Sequence, residues 1–175
     1  MLNLLYKRRS IRKYKATKLD PAIVQQLLKA ALLSPSSRGL KPWQFVVVEN
    51  PEIMKQLALT KKGAGFLKGA AVGIVILADP ATSDVWVEDA AIAATILHLT
   101  AESLGLGSCW IQVRKRQFTE TESCEDYVRR ILGIPENLKV ASIISIGYPD
   151  EAKPPYSESD LLFDKVSLNK YGSKF

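Results

Sequence analysis

Residues 84–113 read DVWVEDAAIAATILHLTAESLGLGSCWIQV, and this stretch decides the fold more than any other part of the chain. From Asp84 to Leu104 the apolar residues occur at helical spacing, but they cover nearly the whole circumference of the predicted helix. Gly105 then provides a helix stop, and a short strand follows. A helix that is apolar on almost every side has to be covered by other elements. We therefore expect it at the centre of the domain or at a subunit interface.

The segments around this helix predict strands and helices without a strict strand–helix–strand order. Runs of β-branched and aromatic residues predict further strands at 43–49, 71–77 and 140–147. Other helices are predicted after two pairs of a capping residue and a proline, at 20–21 and 50–51, and over 121–132. No GxGxxG turn follows the first strand. We therefore predict an α+β fold, in one domain over residues 1–175, rather than a doubly wound one.

The composition indicates a soluble protein with a positive surface. The chain has 175 residues, of which 47% are hydrophobic and 24% charged, and its formal net charge is +6. This charge favours anionic partners, but a nucleic acid, an acidic membrane surface and a phosphorylated cofactor all meet that condition. Only the positions of the cations along the chain can distinguish these partners.

Metal, secretion and membrane insertion are not predicted. The chain has two cysteines, Cys109 and Cys124, and one histidine, His98, so no Cys/His quartet for a structural zinc is possible. We interpret all three as structural residues and both cysteines as free thiols. The N-terminus, MLNLLYKRRS, places its basic residues after the apolar ones, the reverse of a secretory signal. The longest apolar run, 90–99, is too short to span a bilayer. We expect a cytoplasmic protein.

The first cluster with chemical potential is KRRSIRK, residues 7–13, in which five basic residues surround one hydroxyl. Guanidinium groups bind phosphate oxygens in pairs, and a serine hydroxyl adds a short donor, so the cluster predicts a monophosphate cradle. A solvated basic loop or a nucleic-acid patch is the alternative. Only Tyr6 and Tyr14 flank the cluster, which argues against a surface for stacking single-stranded bases.

The second cluster is SPSSRGLKPW, residues 34–43, a polar loop between a predicted helix and a predicted strand. Each residue type is normal for a helix stop followed by a turn, and that is one interpretation. The other is that its hydroxyls, backbone amides and cations converge where a flat polar ring lies.

Together, RRSIRKY (8–14) and PSSRGLKPW (35–43) resemble the FMN-dependent nitroreductase family, whose signature is R-x-S-x-R-x-[FY] followed by P-S-x-x-N-x-Q-P-W. The long apolar helix ending in LGLGSCWI (104–111) and the GYP at 147–149 are similar to the family in place and order. The resemblance covers almost the whole chain.

The resemblance implies a three-layer sandwich around a mostly antiparallel sheet. It also implies an intertwined homodimer, in which a tail of about residues 150–175 embraces the partner and FMN lies at the subunit interface. The implied contacts to the phosphate and ribityl chain are Arg8, Arg9, Ser10 and Arg12. The implied contacts from the other subunit are Pro35, Ser36, Ser37 and Arg38. The backbone from Trp110 to Gln112 is expected at the isoalloxazine edge, near N5.

The implied activity is an NAD(P)H-dependent reduction. NADH or NADPH would deliver a hydride to flavin N5, and a small acceptor such as a nitroaromatic or a quinone would then collect it in a ping-pong cycle. No catalytic side chain is expected, because the flavin carries the chemistry. Alternatives are another flavin reaction on the same fold, or a carrier of FMN. An alternative from another class is a nucleic-acid-binding domain that uses residues 7–15 with Lys61, Lys62 and Lys68.

Three positions depart from the family pattern. Gly39 stands where Asn is usual and Lys41 where Gln is usual. Asp160 lies near the place of a basic phosphate contact, so no phosphate contact is predicted from the tail. For Lys41 we form the hypothesis that its cation, near the N1–C2=O edge, stabilises the reduced ring and raises its potential.

Overall fold

Four strands form one antiparallel sheet, and they coincide with the predicted strands to within one or two residues at most ends. In the computed structural model, which describes residues 1–174, the strand order is β1-β2-β4-β3. The strands are β1 (Trp43–Val48), β2 (Val72–Ala78), β3 (Gly107–Gln112) and β4 (Lys139–Gly147). All residues of β2 are buried, as expected for a central strand covered on both faces.

Five α-helices accompany the sheet: α1 (Leu2–Lys7), α2 (Pro21–Leu32), α3 (Pro51–Leu57), α4 (Trp86–Ser103) and α5 (Cys124–Leu132). The carboxylate of Asp20 accepts from the backbone N–H of Ala22 and caps α2, as predicted. Helix α5 begins three residues later than predicted because Ser123, not an earlier residue, is its N-cap and accepts from the N–H of Asp126.

The sheet is the middle layer of three. Val72, Ile74 and Ile76 of β2 pack in one core cluster with residues of α2 and α4. The side chains of Val75 and Leu77, which point to the other face of the sheet, pack in a second cluster with residues of α3 and α5. This alternation follows from the two-residue period of a strand. The predicted α+β sandwich with an antiparallel sheet is confirmed.

Helix α4 contacts all four strands and helices α1 and α2. Its small residues Ala90, Ala94 and Ala101 are fully buried, whereas Ile92 keeps 38% of its surface exposed. The helix is therefore central, and part of its apolar surface remains uncovered in the single chain. Among residues 1–174, no helix has the length and apolar character needed to cross a membrane.

The extended segment of residues 8–15, called here the N-terminal arm, docks on the end of the sheet. Ser10 forms a parallel bridge with Ser108 of β3, and the N–H of Ile11 donates to the Ser108 carbonyl at 3.0 Å. Tyr14 bridges Pro149 after β4. The arm thus covers only the first part of the outer edge of β3.

The C-terminal tail, residues 150–175, is described to residue 174 and contains two short 3-10 turns, Glu158–Asp160 and Phe163–Lys165. From residue 154 to residue 174 every residue is exposed, and these include Tyr156, Leu161, Leu162, Phe163, Val166, Leu168 and Tyr171.

Candidate functional site

Lys153, from the start of the tail, reaches the point where the arm meets β3. Lys153 Nζ donates to the carbonyl of Ser10. Burial raises the pKa of the Cys109 thiol, and Arg12, Lys153 and Arg8 oppose that rise. The Arg12 guanidinium lies 5.7 Å from the centre of the Phe66 ring. Arg8, Ser10 and Arg12 are alternate residues of the extended arm. Their contacts with a phosphate remain predictions. Lys153 was not predicted, because its contact with the arm joins residues 143 positions apart and no local pattern marks it.

A carboxylate holds the arm in place. Glu151 accepts from the backbone N–H of Arg12 and, at 3.2 Å, from that of Lys13, and it lies 3.7 Å from Lys153 Nζ. The N–H of Arg12 is the main reason that the pKa of Glu151 lies below its usual value. Glu151 thus fixes the backbone of the arm and orients Lys153.

Arg9 does not join the other arm cations. Its guanidinium donates to the carbonyl of Pro154 and lies 4.5 Å from the centre of the Tyr156 ring. Asp160 is occupied within its own turn, where its carboxylate accepts from the N–H and hydroxyl of Ser157. The phosphate contact predicted for Arg9 remains a prediction, and in the single chain Arg9 secures the tail.

The serine-rich loop, residues 34–43, has a strained backbone. Arg38, Gly39 and Lys41 have φ angles of 52°, 69° and 51°. A left-handed conformation costs a residue with a side chain roughly 1–2 kcal/mol, so the surroundings must hold Arg38 and Lys41 there. Part of that restraint is the Ser36 hydroxyl, which accepts from the N–H of Lys41 at 2.9 Å. Such strain is concentrated at functional sites.

The rest of the restraint comes from the beginning of α4. Asp89, only 2% exposed, accepts from the N–H of Ser37 at 2.8 Å and from the hydroxyl of Ser83 at 2.9 Å. At the surface, Arg38 pairs with Asp84 at 2.7 Å. Asp89 was not predicted as a site residue, because it lies in the first turn of an apolar helix and its partner Ser37 is 52 residues away in the chain.

Two buried polar atoms bracket this loop. Within residues 1–174, Ser34 Oγ and Trp43 Nε1 have no hydrogen-bond partner, although both residues are buried. Buried donors of this kind are rare in finished proteins, and they call for a partner molecule or a functional explanation. Ser34 and Trp43 are the first and last residues of the serine-rich loop.

Strand β3 presents a free backbone edge next to the arm. Ser108 gives its carbonyl to Ile11, so the alternation of an antiparallel ladder turns the backbone groups of Trp110 and Gln112 away from β4 as well. Their side chains are engaged with each other: Trp110 Nε1 donates to Gln112 Oε1, and Gln112 Nε2 donates to the carbonyl of Arg114, both at 2.9 Å. This edge therefore offers backbone groups rather than side chains.

His98, on α4, supports the same strand. Its Nδ1 lies 2.7 Å from the Ser108 hydroxyl, and its ring stacks on Trp110 at 6.4 Å. Burial, followed by the charge of Arg8, lowers the pKa of His98 to about 4, so the ring is neutral at pH 7. Cys109 and Cys124 are buried free thiols. The structural interpretation of these three residues agrees with their contacts. Among the described residues, no group of three or more His, Cys, Asp or Glu forms a metal site.

The two predicted clusters lie at different heights along α4. Asp89 holds the serine-rich loop, and His98 contacts the strand on which the arm docks. Asp89 and His98 are nine residues apart on α4, which corresponds to about 14 Å along the helix axis. The serine-rich loop is thus held near the start of α4, and the arm docks beside the strand that His98 supports.

Comparison with known proteins identifies the scaffold. The sequence profile of the nitroreductase family matches residues 5–61 and 58–148. The chain is 47% identical to an FMN-dependent nitroreductase from Clostridium difficile R20291, with a TM-score of 0.96 over 98% of this chain and 100% of that one. It is 37% identical, over 91% of each chain, to a protein of Archaeoglobus fulgidus provisionally named NADH dehydrogenase/NAD(P)H nitroreductase. It is 23% identical to the iodotyrosine deiodinase of Thermotoga neapolitana, over 93% of this chain and 95% of that protein.

The arm, the serine-rich loop and the long central helix all lie within or beside the matched segments, and the match extends over most of the chain. The chain belongs to the nitroreductase family.

Proposed function

We propose that this protein is an FMN-dependent oxidoreductase that uses NADH or NADPH to reduce small electrophilic acceptors such as nitroaromatics or quinones. The observation that carries the proposal is the docking of the arm, which bears Arg8 and Arg12, on the edge of β3, where Lys153 donates to the carbonyl of Ser10. A phosphate monoester bears nearly two negative charges at neutral pH, which two guanidinium groups and one ammonium group match.

The residues around the arm fit FMN in two further respects. The arm supplies the hydroxyl of Ser10 next to the cations, and Gly107 lets the arm approach β3 closely, since a Cβ there would lie 2.7 Å from the Cβ of Ile11. The backbone groups of Trp110 and Gln112 offer hydrogen bonds to the polar edge of a planar ring, as the family resemblance implies for N5.

FMN, when bound, supplies the redox chemistry by taking a hydride from the nicotinamide and passing it to the acceptor. The chain's own residues bind and orient. Arg8, Arg12 and Lys153 would anchor the phosphate, the edge of β3 would fix the ring, and the serine-rich loop of the second subunit would cover it. No side chain is assigned an indispensable proton transfer.

We propose a homodimer in which the serine-rich loop of one subunit and the arm of the other form one site, as the family resemblance implies. The exposed apolar tail and the uncovered surface of α4 provide the apolar area that a partner subunit would bury. The loop containing Pro35, Ser36, Ser37 and Arg38 would then reach the FMN that the partner's arm holds.

Lys41 is the residue of this loop that we propose as a tuning group. Its left-handed backbone is fixed by Ser36, and its side chain is exposed, so its ammonium group is available to a ring bound nearby. On this proposal, Lys41→Met makes the bound flavin harder to reduce, which a midpoint potential measures.

A second candidate is a different flavin reaction on the same scaffold, because one relative is named as an iodotyrosine deiodinase. The names of the relatives do not select between the two nicotinamides, since the Archaeoglobus name includes both NADH and NAD(P)H.

The decisive experiment is an anaerobic titration of the purified protein after loading with FMN. We expect a yellow protein whose flavin absorbance bleaches with NADH or NADPH and returns when a quinone or nitroaromatic is added. Arg12→Ala is expected to weaken FMN binding. A protein that takes up no FMN contradicts the proposal. Bound FMN that neither nicotinamide bleaches indicates a carrier, and binding of nucleic acid that falls steeply with salt would instead favour the basic-domain alternative.

A further inference from the structure

Asp89 is a buried carboxylate whose described partners are all uncharged. It is 2% exposed and receives hydrogen bonds from the Ser37 N–H and the Ser83 hydroxyl. No ion pair involves it among residues 1–174. Burying a charge is unfavourable unless hydrogen bonds compensate it, so the position of Ser37 is strongly constrained by this carboxylate.

Its place in the first turn of α4 does not by itself explain the burial. A carboxylate there interacts favourably with the helix dipole, but Glu88, in the same turn and exposed, already provides that interaction. What distinguishes Asp89 is that it reaches across to a loop 52 residues earlier in the chain.

The loop that it reaches needs external restraint. Arg38 and Lys41 adopt left-handed backbone conformations that only neighbouring contacts can maintain. Three side-chain contacts restrain it: the Ser36 hydroxyl within the loop, the exposed pair of Arg38 with Asp84, and the buried bond from Asp89 to Ser37. Backbone bonds add to them, from Gly39 to Ser36 and from Leu40 to Ser37 within the loop, and from Asp79 to Pro42 at its end. An exposed ion pair contributes little. The Asp79–Pro42 bond holds only the end of the loop, so the bond from Asp89 is the buried side-chain link to its middle, next to Arg38.

We propose that Asp89 is a positioning residue for cofactor binding: through the N–H of Ser37 it holds the serine-rich loop in the conformation that meets the flavin. Ser83, through its hydroxyl, orients the second oxygen of Asp89. This inference rests on the proposed function, because the loop's ligand is the FMN assigned above. The expected consequence is that loss of Asp89 damages flavin binding although its carboxylate contacts only protein.

The test compares four variants of the full chain with the wild type. Asp89→Ala removes the acceptor, and we expect FMN to bind about tenfold more weakly or worse. The visible circular dichroism of any bound flavin should change, because that signal depends on the surroundings of the ring. Asp89→Asn keeps an oxygen that accepts from Ser37 and an amide that donates to Ser83, so it should restore FMN affinity to within about threefold of wild type.

Two further variants separate positioning from helix stability. Glu88→Ala removes the neighbouring first-turn carboxylate and should leave FMN affinity and the flavin spectrum unchanged. Ser83→Ala removes one of the two bonds to Asp89 and should weaken FMN binding in the same direction as Asp89→Ala, but less. Hydrogen exchange of residues 34–41, measured without FMN, should be faster in Asp89→Ala and close to wild type in Asp89→Asn.

Wild-type FMN affinity and an unchanged flavin spectrum in Asp89→Ala would overturn the inference. If Asp89→Ala does not fold, Ser83→Ala decides, and unchanged binding and exchange in that variant count against the role. If the wild type itself binds no FMN, the proposed function fails, whereas the exchange of residues 34–41 still reports whether Asp89 fixes the loop.

Discussion

At the scale of single residues, the position of the arm depends on the absence of a side chain at Gly107. A Cβ at this position would meet both Cβ and Cγ2 of Ile11 at 2.7 Å, a distance that real structures essentially never show. The φ angle of Gly107 is not positive, so the requirement is for space rather than for backbone freedom. Any side chain there must move the arm, and Ser10 and Arg12 move with it.

Gly107→Ala is therefore expected to weaken FMN binding about tenfold or more while the sheet remains intact. The reason is that the arm must shift away from β3 by several tenths of an ångström or more. Isothermal titration with FMN measures the loss, and far-ultraviolet circular dichroism checks the fold. Gly69→Ala is the matched control, since a Cβ at Gly69 meets no atom within 4 Å. Normal FMN affinity in Gly107→Ala would show that the arm does not set the phosphate site.

The site residues that sequence could predict are those in short continuous motifs. Arg8, Ser10 and Arg12 share one motif, and alternate residues of an extended segment point to the same side, which also explains why Arg9 turns away to the tail. Asp89 and Lys153 come to the site only through tertiary contacts, with loop and arm respectively. No local pattern marks them, because their partners lie 52 and 143 residues away.

At the scale of elements, the strands and helices were largely predictable because each is specified locally. β-Branched runs give β2 and β4, and capping residues with first-turn prolines give α2 and α3. The strand order and the docking of the arm on β3 were not predicted, because they depend on pairing between residues far apart in sequence. The 3-10 turns were also missed, since three to five residues leave no periodicity to detect.

The contact between arm and tail predicts a pH dependence. The pKa of Glu151 lies below its ordinary value of 4.5, mainly because the Arg12 N–H donates to the carboxylate. Its lowered pKa means that Glu151 stabilises the docked arm above its unfolded pKa, and that this contribution is lost as the pH falls through the folded pKa. We expect the free energy of unfolding to decrease in this acid range.

Glu151→Gln tests this assignment. The variant should be less stable than wild type near neutral pH. The difference should begin to shrink below about pH 4.5, the ordinary pKa of Glu151 in the unfolded chain, and should vanish below the lowered folded pKa, where Glu151 is neutral in both states. Urea unfolding at several pH values measures both quantities. Glu136→Gln removes an exposed carboxylate and serves as the control for net charge. A stability difference between Glu151→Gln and wild type that does not vary with pH would contradict the role of the carboxylate charge.

At the scale of the whole molecule, a single chain leaves several large apolar side chains of the tail exposed to solvent. Leu161, Leu162 and Phe163 are 41%, 55% and 58% exposed, and they follow one another in the tail. In the proposed homodimer, the serine-rich loop of one subunit and the arm of the other form one site. An embracing partner would bury the tail and complete the site at the same time, so dimerisation and FMN binding should be lost together.

The double substitution Leu162→Ser and Phe163→Ser distinguishes this arrangement from a monomer with a loose tail. In a monomer, polar substitutions at exposed positions change stability by only about 0.5 kcal/mol. In the proposed dimer, each buried side chain contributes about 1.5–3 kcal/mol per copy, so the dimer dissociation constant should rise at least about a hundredfold. Sedimentation velocity measures that change, and FMN affinity should fall at protein concentrations where the variant dissociates.

Asp164→Ser and Lys165→Ser, at the next two exposed positions, form the control. A double variant that stays dimeric and yellow would exclude this part of the tail from the interface.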